Sequence, residues 1–455
     1  MNDITAFFAF LKYCLGYKGD MSRVITGMDW QELYSFASKQ ALLGLCFDGI
    51  ERLGKEYSEE LKQNPIEREL LMTWMGKAQQ IRRQNMKVNA VASKLFSMLR
   101  EDGMRCCVLK GQGNALMYPN PYSRTPGDVD VWIDASRERI MEYAQKKFEL
   151  EDDIRLQHLE TSLDGVPVEL HFFPCSMNNP IYHARLQKWF RRNADLQCSH
   201  IVGLPDEAGD IAIPTTAFNV IYQLCHLYHH FFDEGIGMRQ IIDYFLVVND
   251  FSKNVFLNND LSNHPVNFSN HPVPLSKEGS TFSPSPSSSG SGDVTAPSRC
   301  SEPLRSKDGG PSKVSPDCAG WDRLAIEGDN SATAVTSSAS TALVVVQREL
   351  KYLGLWKFSG AVMYVLHEAL GLSEEKMIAP MDEKRGKLLL AEILNGGNFG
   401  RHFTKYGHFT QQGMAKKYFL KIWRNMHFVR YYPAEALSEP IFRTVHFFWR
   451  LKHRR

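Results

Sequence analysis

Asp128 and Asp130 are two carboxylates that could hold a metal ion together. They flank Val129 at the start of an apolar run that ends at Ile133, and such a run predicts a β-strand. Alternate side chains of a strand leave the same face, so we expect both carboxylates on one side. Side by side they repel each other unless a hard cation lies between them, and Mg²⁺ prefers oxygen ligands. The pair indicates a magnesium site, although acidic turns and solvated strand ends have the same short pattern.

A third carboxylate follows in the segment HLETSLDGVPVELHFF. Alternating runs at residues 158–163 and 166–172 surround an Asp-Gly pair, which is a strong signal for a two-residue turn and predicts a β-hairpin. In the second run Glu169 stands on the face opposite to the apolar side chains. If this face looks toward the two aspartates, three carboxylates meet on neighbouring strands, as a two-metal phosphoryl-transfer site requires.

Several residues near these carboxylates suit phosphate binding. Lys110 and Gly111 follow a short apolar strand, and a glycine turn lets backbone N–H groups approach phosphate while the lysine adds positive charge. A solvated strand end is the alternative for Lys110. Arg124 can fork onto two phosphate oxygens, and its alternative is a loop salt bridge. His171 could contact a nucleotide, orient Glu169, or serve as a hydrogen-bonded structural histidine.

The order of these residues resembles that of the uncharacterised bacterial nucleotidyltransferases, which belong to the polymerase-β-like nucleotidyltransferase superfamily. The family pattern is an LKG turn, an arginine shortly before a D-x-D strand, and a later acidic residue just ahead of a histidine. A His-rich helical segment and an Arg-x-x-x-Asp segment match farther along. The resemblance covers most of the chain outside residues 251–345. The matching residues are Leu109-Lys110-Gly111, Tyr118, Arg124, Gly127-Asp128-Val129-Asp130, Glu169-Leu170-His171, His226, His230, Arg239 and Asp243.

The resemblance implies a site with three catalytic carboxylates that bind two Mg²⁺ ions. These are Asp128, Asp130 and Glu169, and Glu169 completes the metal that binds the acceptor or acts as its general base. It also implies nucleotide-binding roles for Lys110, Gly111, Arg124, His171, Arg239 and Asp243. Arg239 and Asp243 are one helical turn apart and most simply form a pair at the nucleotide cleft. One departure from the superfamily is the turn at residues 110–113, which replaces the usual Gly-Gly or Gly-Ser and bears mainly on the triphosphate contacts.

The elements that must position these residues form an α+β protein. We expect a small mixed β-sheet module with helices on one side at residues 96–210, embedded in a mainly α-helical chain. Residues 1–95 predict an N-terminal helical region, and residues 211–250 together with 345–455 predict a C-terminal helical domain. Residues 251–344 are rich in Ser, Pro, Asn and Gly, and predict a disordered insertion because they hold too few large apolar side chains to offset chain entropy.

Composition excludes some classes of protein. A chain of 455 residues with 43% hydrophobic content can bury a large core, and a net charge of +2 does not indicate a DNA-wrapping protein. The apolar N-terminus is interrupted by Lys12 and shows no cleavage site, so we interpret it as a first helix and not as a signal peptide. The sequence contains no run of eighteen uncharged apolar residues, so we expect no membrane span. We expect a cytoplasmic protein.

The leading hypothesis is a metal-dependent nucleotidyltransferase. It moves a nucleoside monophosphate from an NTP, with ATP as the default guess, to an acceptor hydroxyl and releases pyrophosphate. The acceptor is unknown and could belong to a protein, a small molecule, a sugar or an RNA end. One alternative is a non-catalytic member of the same fold that binds a nucleotide or a partner protein. Another is a glycosyltransferase whose D-x-D pair binds a nucleotide sugar, although the long alternating α/β region before that motif is lacking.

Overall fold

Four stretches of the chain are described by the computed structural model, namely residues 4–150, 155–260, 337–401 and 414–453. Most of the predicted insertion, residues 261–336, lies outside the described residues. At both ends of the expected insertion the chain is helical, because one helix continues to Asp260 and the next begins at Ser337.

Six helices precede the sheet: α1 (Ile4–Cys14), α2 (Ser22–Thr26), α3 (Trp30–Lys39), α4 (Leu43–Glu56), α5 (Ser58–Gln63) and α6 (Arg68–Glu101). α3 is capped by Asp29, whose carboxylate accepts a hydrogen bond from the backbone N–H of Glu32. In the second half of α6 the buried apolar positions recur every three or four residues, from Val88 to Leu99, and form one face that packs on a sheet. α6 crosses the expected limit at residue 95, and the division of the chain into domains stays a prediction.

The central sheet is small and mixed, as predicted. Its elements are β1 (Cys106–Leu109), α7 (Gly111–Ala115), β2 (Val129–Ile133), α8 (Arg137–Lys147), β3 (His158–Leu163) and β4 (Val166–His171). The strand order is β1-β2-β4-β3, in which β2 and β4 run parallel and the other pairs are antiparallel. Asp164 and Gly165, with φ values of 51° and 70°, form the tight turn between β3 and β4.

Further helices and a small hairpin follow: α9 (Pro180–Ser199), β5 (Ile201–Gly203), β6 (Asp210–Ala212), α10 (Thr216–Asp233), α11 (Met238–Asp260), α12 (Ser337–Tyr352), α13 (Trp356–Leu370), α14 (Glu383–Gly396), α15 (Met414–Met426) and α16 (Pro433–His453). α13 lies at the centre of the helical core and packs against α1, α11 and α14. Phe10 and Leu11 of α1 are fully buried in the same apolar cluster as Phe358 of α13. Residues 1–264 and 335–455 form one compact unit. No helix in the described residues is long and apolar enough to cross a lipid bilayer.

Helices cover both faces of the sheet: α8 and the end of α6 pack on one face, and α9 and α10, which follow the sheet in the chain, pack on the other. On one face Val131 and Leu170 join the apolar cluster formed with α6 and α8. On the other face Trp132 of β2 stacks on Phe218 of α10, with ring centroids 6.2 Å apart, and contacts Phe190 of α9 at 6.1 Å. The polar side chains of β2 and β4 share this second face with Trp132, since they alternate with the apolar residues of the first. The site therefore lies between the sheet and the helices that follow it.

Candidate active site

The three predicted carboxylates meet on one face of the sheet. Asp130 of β2 is the direct partner of Glu169 in the parallel ladder with β4, and paired residues of adjacent strands point to the same side. Asp128 lies two residues before Asp130, just ahead of the strand. The carboxylate oxygens of the three residues lie within 4.8 Å of one another. This spacing suits oxygen ligands around a small hard cation.

Two cationic groups lie against these carboxylates. The Lys110 Nζ is 2.9 Å from Asp130 Oδ1. The His171 Nε2 is 3.0 Å from the same Asp130 oxygen and 3.1 Å from Glu169 Oε2. Because carboxylate oxygens of this kind only accept, the His171 Nε2 carries a hydrogen and donates it. Asp130 is nearly fully buried, and these contacts compensate for the solvent that its charge has lost.

The crowding of charge shifts the acid–base equilibria of the site. The negative charge of Asp130, with burial, raises the pKa of Asp128 to about 7. Burial alone would raise the pKa of Asp130, but Lys110 and then His171 hold it below its ordinary value. For the imidazole of His171 burial acts in the opposite direction and would lower the pKa, yet hydrogen bonds to Asp130 and Glu169 raise it to about 9. Asp128 therefore takes up a proton much more readily than an isolated carboxylate does, as expected for two adjacent acids.

Lys110 has an unusual backbone conformation. Its φ of 53° and ψ of −134° fall outside the regions that residues with a Cβ normally occupy, and such conformations cost of order 1–3 kcal/mol. This turn ends β1 and directs the lysine inward, where Nζ also lies 3.3 Å from His226 Nε2. Burial, followed by the charge of Lys110, lowers the pKa of His226, so a neutral imidazole accepts from the ammonium. In this structure Lys110 is the ion-pair partner of Asp130 and not a solvated residue at a strand end.

Arg124 and Asp243 form a buried pair between the loop before β2 and α11. The Arg124 Nε is 2.9 Å from Asp243 Oδ1, and its Nη2 is 2.8 Å from Oδ2. The Tyr118 hydroxyl donates to the same Oδ1 at 2.7 Å. The expected pair of Arg239 with Asp243 was wrong, since Asp243 bonds to Arg124 and Arg239 donates to the Thr125 carbonyl at 3.2 Å. Because Asp243 pairs with Arg124, Arg239 keeps an N–H group that can donate to a ligand.

A cleft with about 490 Å³ of empty space opens beside these groups. It contains every predicted site residue except Glu169 and His171. Sequence reasoning missed Gln240 and Phe399, for which the chain shows no local signal. The cleft is lined by Lys110, Gly111, Arg124, Gly127, Asp128, Asp130, Gln223, His226, Leu227, Arg239, Gln240, Asp243 and Phe399.

Two buried donors in this cleft have no hydrogen-bond partner within the described part of the chain. They are Nε of Arg239 and Nε2 of Gln240, whose residues are 8% and 6% exposed. Gln240 Oε1 accepts from the backbone N–H of Gly237 at 2.7 Å, which holds the amide in place. Unsatisfied buried donors are costly, so a ligand with acceptor atoms would relieve them.

Phe399 reaches the cleft from far along the chain. It lies in the short turn Asn398–Gly400, and its ring centroid is 5.6 Å from the Arg239 guanidinium carbon. A Cβ on Gly237 would come within 2.6 Å of the Asn398 Cα, so only glycine permits this close approach of the backbone. An aromatic ring beside an arginine offers a flat apolar surface at the edge of a charged cleft.

Comparison with known proteins decides the family. The model of a family described as uncharacterised nucleotidyltransferases matches residues 26–262, just over half of the chain. The chain belongs to this uncharacterised nucleotidyltransferase family. A solved structure, an antigenic nucleotidyltransferase-like protein from Paracoccidioides brasiliensis, is similar at 17% identity, with 36% of this chain and 75% of that chain covered and a TM-score of 0.25. No curated protein matches the sequence.

Within the described residues, two groups of side chains have the spacing of metal ligands. Asp128, Asp130 and Glu169 form one, and their all-oxygen composition fits Mg²⁺. The second shares Glu169 and adds His158 and His171. Since the His171 Nε2 donates to two carboxylates, its geometry is that of a residue that orients metal ligands. The three carboxylates therefore fit the implied metal ions better than the histidine group does.

The His-rich part of α10 lines cavities. The ring of His226 lies 4.3 Å from that of His230, and His230 in turn contacts Phe399 at 5.4 Å between centroids. His229 lines a second cavity. Burial lowers the pKa of His230 to about 3, so its imidazole is neutral at physiological pH. These positions make the histidines of α10 a cluster that lines cavities.

The charge of His171 predicts how stability depends on pH. Its folded pKa of about 9 lies above the ordinary value of 6.5, so the folded state binds more protons between these two values. This contribution to the free energy of unfolding is fully present below pH 6.5 and is lost as pH rises through 9. Denaturant unfolding of the wild type and of His171→Asn across this range should show a steeper decline in the wild type. Parallel curves would contradict a charged His171.

Proposed function

We propose that this protein is a metal-dependent nucleotidyltransferase that moves a nucleoside monophosphate from an NTP to an acceptor hydroxyl. The observation that carries the proposal is the meeting of Asp128, Asp130 and Glu169 at the edge of a cleft with unsatisfied donors. Family membership supports transfer of nucleotides in general. We propose the NTP donor, the metal ion and the acceptor hydroxyl in addition.

The cleft is the proposed site for the NTP. Arg239 offers an unpartnered N–H to phosphate oxygens, and Gly111 at the start of α7 lines the same cleft. Lys110 neutralises Asp130 in the absence of a metal ion. A bound cation would take over that task and would leave the Lys110 ammonium available to the triphosphate. The ring of Phe399 supplies a flat surface on which a base can stack.

The three carboxylates have proposed roles in metal binding and in general-base catalysis. Asp128, Asp130 and Glu169 would hold two Mg²⁺ ions, which when bound neutralise phosphate charge and lower the pKa of the attacking hydroxyl. Glu169 is the proposed general base, because it lies one strand farther from the cleft than Asp130. His171 donates to both Asp130 and Glu169 and keeps their oxygens oriented. Arg124 lines the cleft and pairs with Asp243, which anchors the loop before β2 to α11.

Thermal stabilisation by the four NTPs with Mg²⁺ is the first test. A ligand that binds only the folded state raises its apparent stability by mass action. We expect a selective shift with one or more NTPs, with ATP as the default, that is lost in the double variant Asp128→Asn/Asp130→Asn. Release of pyrophosphate should accompany it once an acceptor is supplied.

Different outcomes identify the rival functions. An NTP shift without pyrophosphate release under any acceptor condition would indicate a nucleotide-binding protein without catalysis. Stabilisation by a UDP-sugar and by no NTP would indicate a glycosyltransferase. Equal shifts in the wild type and the double variant would separate NTP binding from the carboxylates and contradict the proposed site.

A further inference from the structure

A second cavity, with about 690 Å³ of empty space, meets the site from the opposite edge of the sheet. The NTP cleft adjoins Lys110 after β1 and Asp130 on β2, whereas the second cavity adjoins Gln157 and His158 at the start of β3. Because the strand order is β1-β2-β4-β3, Glu169 on β4 lies between the two. Glu169 itself lines neither cavity, but its strand stands between the strands that adjoin them, so its carboxylate can act between two substrates.

His158 connects the second cavity to Glu169. Its Nδ1 lies 3.4 Å from Glu169 Oε2, and the residue is 8% exposed. Neither ring nitrogen makes a hydrogen bond within the described residues. The Nε2 of His158 lies 3.5 Å from Glu160 Oε1, so both ring nitrogens face carboxylates, and the residue also lines the second cavity.

The second cavity is lined by buried polar atoms that lack a hydrogen-bond partner and that a ligand with hydrogen-bond donors would satisfy. Glu439 is 2% exposed; its Oε1 pairs with Arg443, whereas its Oε2 has no hydrogen-bond partner in the described stretches. His229 Nδ1 is similarly unsatisfied. A carboxylate oxygen only accepts, so hydroxyl groups satisfy it and phosphate oxygens do not.

Charge and shape narrow the ligand further. Arg443 and Lys421 both pair with Asp233 at 2.9 Å, so two cations balance the carboxylates of Glu439 and Asp233, and a neutral ligand suits them. Phe173 and Phe442 add apolar surface to the lining. Hydrogen-bond acceptors beside aromatic rings fit a compound with many hydroxyl groups and an apolar carbon skeleton.

We infer that this second cavity is the acceptor site and that the acceptor is a small neutral polyol. The inference rests on the proposed transfer reaction and names its acceptor. One hydroxyl oxygen of the polyol forms a new bond to the α-phosphorus of the NTP. The bond from that phosphorus to the bridging oxygen breaks, pyrophosphate leaves with its electron pair, and the hydroxyl proton passes to Glu169.

Binding of myo-inositol, D-glucose and D-mannitol in the absence of NTP tests the inference. We expect at least one of them to bind the wild type by calorimetry, and Glu439→Gln to weaken that binding about 10- to 100-fold, as loss of a charged hydrogen bond predicts. His229→Gln is a second variant for the case that Glu439→Gln does not fold. Circular dichroism and the unfolding midpoint report whether each variant is folded.

Every outcome decides the inference. No binding of any of the three polyols overturns it, as does binding that both variants retain unchanged. Preference for glucose 6-phosphate, for a single-stranded RNA or for an acidic peptide overturns it and identifies a different acceptor. Polyol binding in the variant Asp128→Asn/Asp130→Asn, together with absence of any NTP response in the wild type, would reject the transfer reaction while the polyol site stands.

Discussion

Replacing Asp130 with Asn is expected to reduce nucleotidyl transfer by on the order of 1,000-fold, because the variant lacks a charge on which metal binding and phosphate neutralisation depend. Asp130 contacts Lys110 and His171 and is paired with Glu169, so its loss affects the whole cluster. The fold should persist, since the amide oxygen of Asn still accepts from Lys110. Pyrophosphate release, measured beside a circular dichroism spectrum, checks both expectations.

Asp134→Asn is the matched control for this substitution. Asp134 follows the same strand and forms an ion pair with the exposed Arg105. Removing that charge should change transfer little, because surface ion pairs contribute little and this one lies outside the cleft lining. Retained transfer in a folded Asp130→Asn protein would reject the metal assignment.

Substituting Arg124 with Gln should lower the free energy of unfolding by about 3–5 kcal/mol, the usual effect of breaking a buried ion pair by removing one partner. The side chains of Arg124 and Asp243 are only 4% and 6% exposed. Burial would raise the pKa of Asp243, yet Arg124 holds it below its ordinary value. Without the arginine a buried carboxylate remains with Tyr118 as its hydrogen-bond donor. Denaturant unfolding at neutral pH measures the change.

Two further variants separate burial from charge. Arg105→Gln removes a guanidinium that is 60% exposed and should have a much smaller effect. The double variant Arg124→Gln/Asp243→Asn should be more stable than Arg124→Gln, because no unpaired charge remains buried. If Arg124→Gln and Arg105→Gln cost the same, the buried pair does not hold the loop to α11.

Local sequence patterns predicted the strands and one face of the site. Alternation and the Asp164-Gly165 turn located β3 and β4 to within one residue, because strand periodicity and turn chemistry are properties of neighbouring residues. The same alternation correctly put Glu169 on the polar face. Its pairing with Asp130 depends on the parallel register of β2 and β4, which residues 134–165 separate, and no local pattern specifies that register.

Long-range contacts account for what sequence reasoning missed. The helical spacing of Arg239 and Asp243 suggested a local pair, but Arg124, 119 residues earlier, took the carboxylate with a bidentate geometry that an i,i+4 pair seldom achieves. Phe399 entered the cleft because Gly237 allows a backbone approach that no single-residue preference reveals. His158 could have been found as a polar residue at the start of the hairpin, although nothing local marked it as lining a cavity.

The packing of α1 on α13 has a consequence for synthesis on the ribosome. α1 is completed at Cys14, yet its partner helix begins at Trp356. At usual elongation rates of 5–20 residues per second, roughly 20 to 70 s pass between the two events. During that interval α1 can pack against α4, but the part of its apolar face that contacts α13 is uncovered, and exposed apolar surface of this kind attracts chaperones or other chains. α1 is therefore among the last of the described helices to complete its packing.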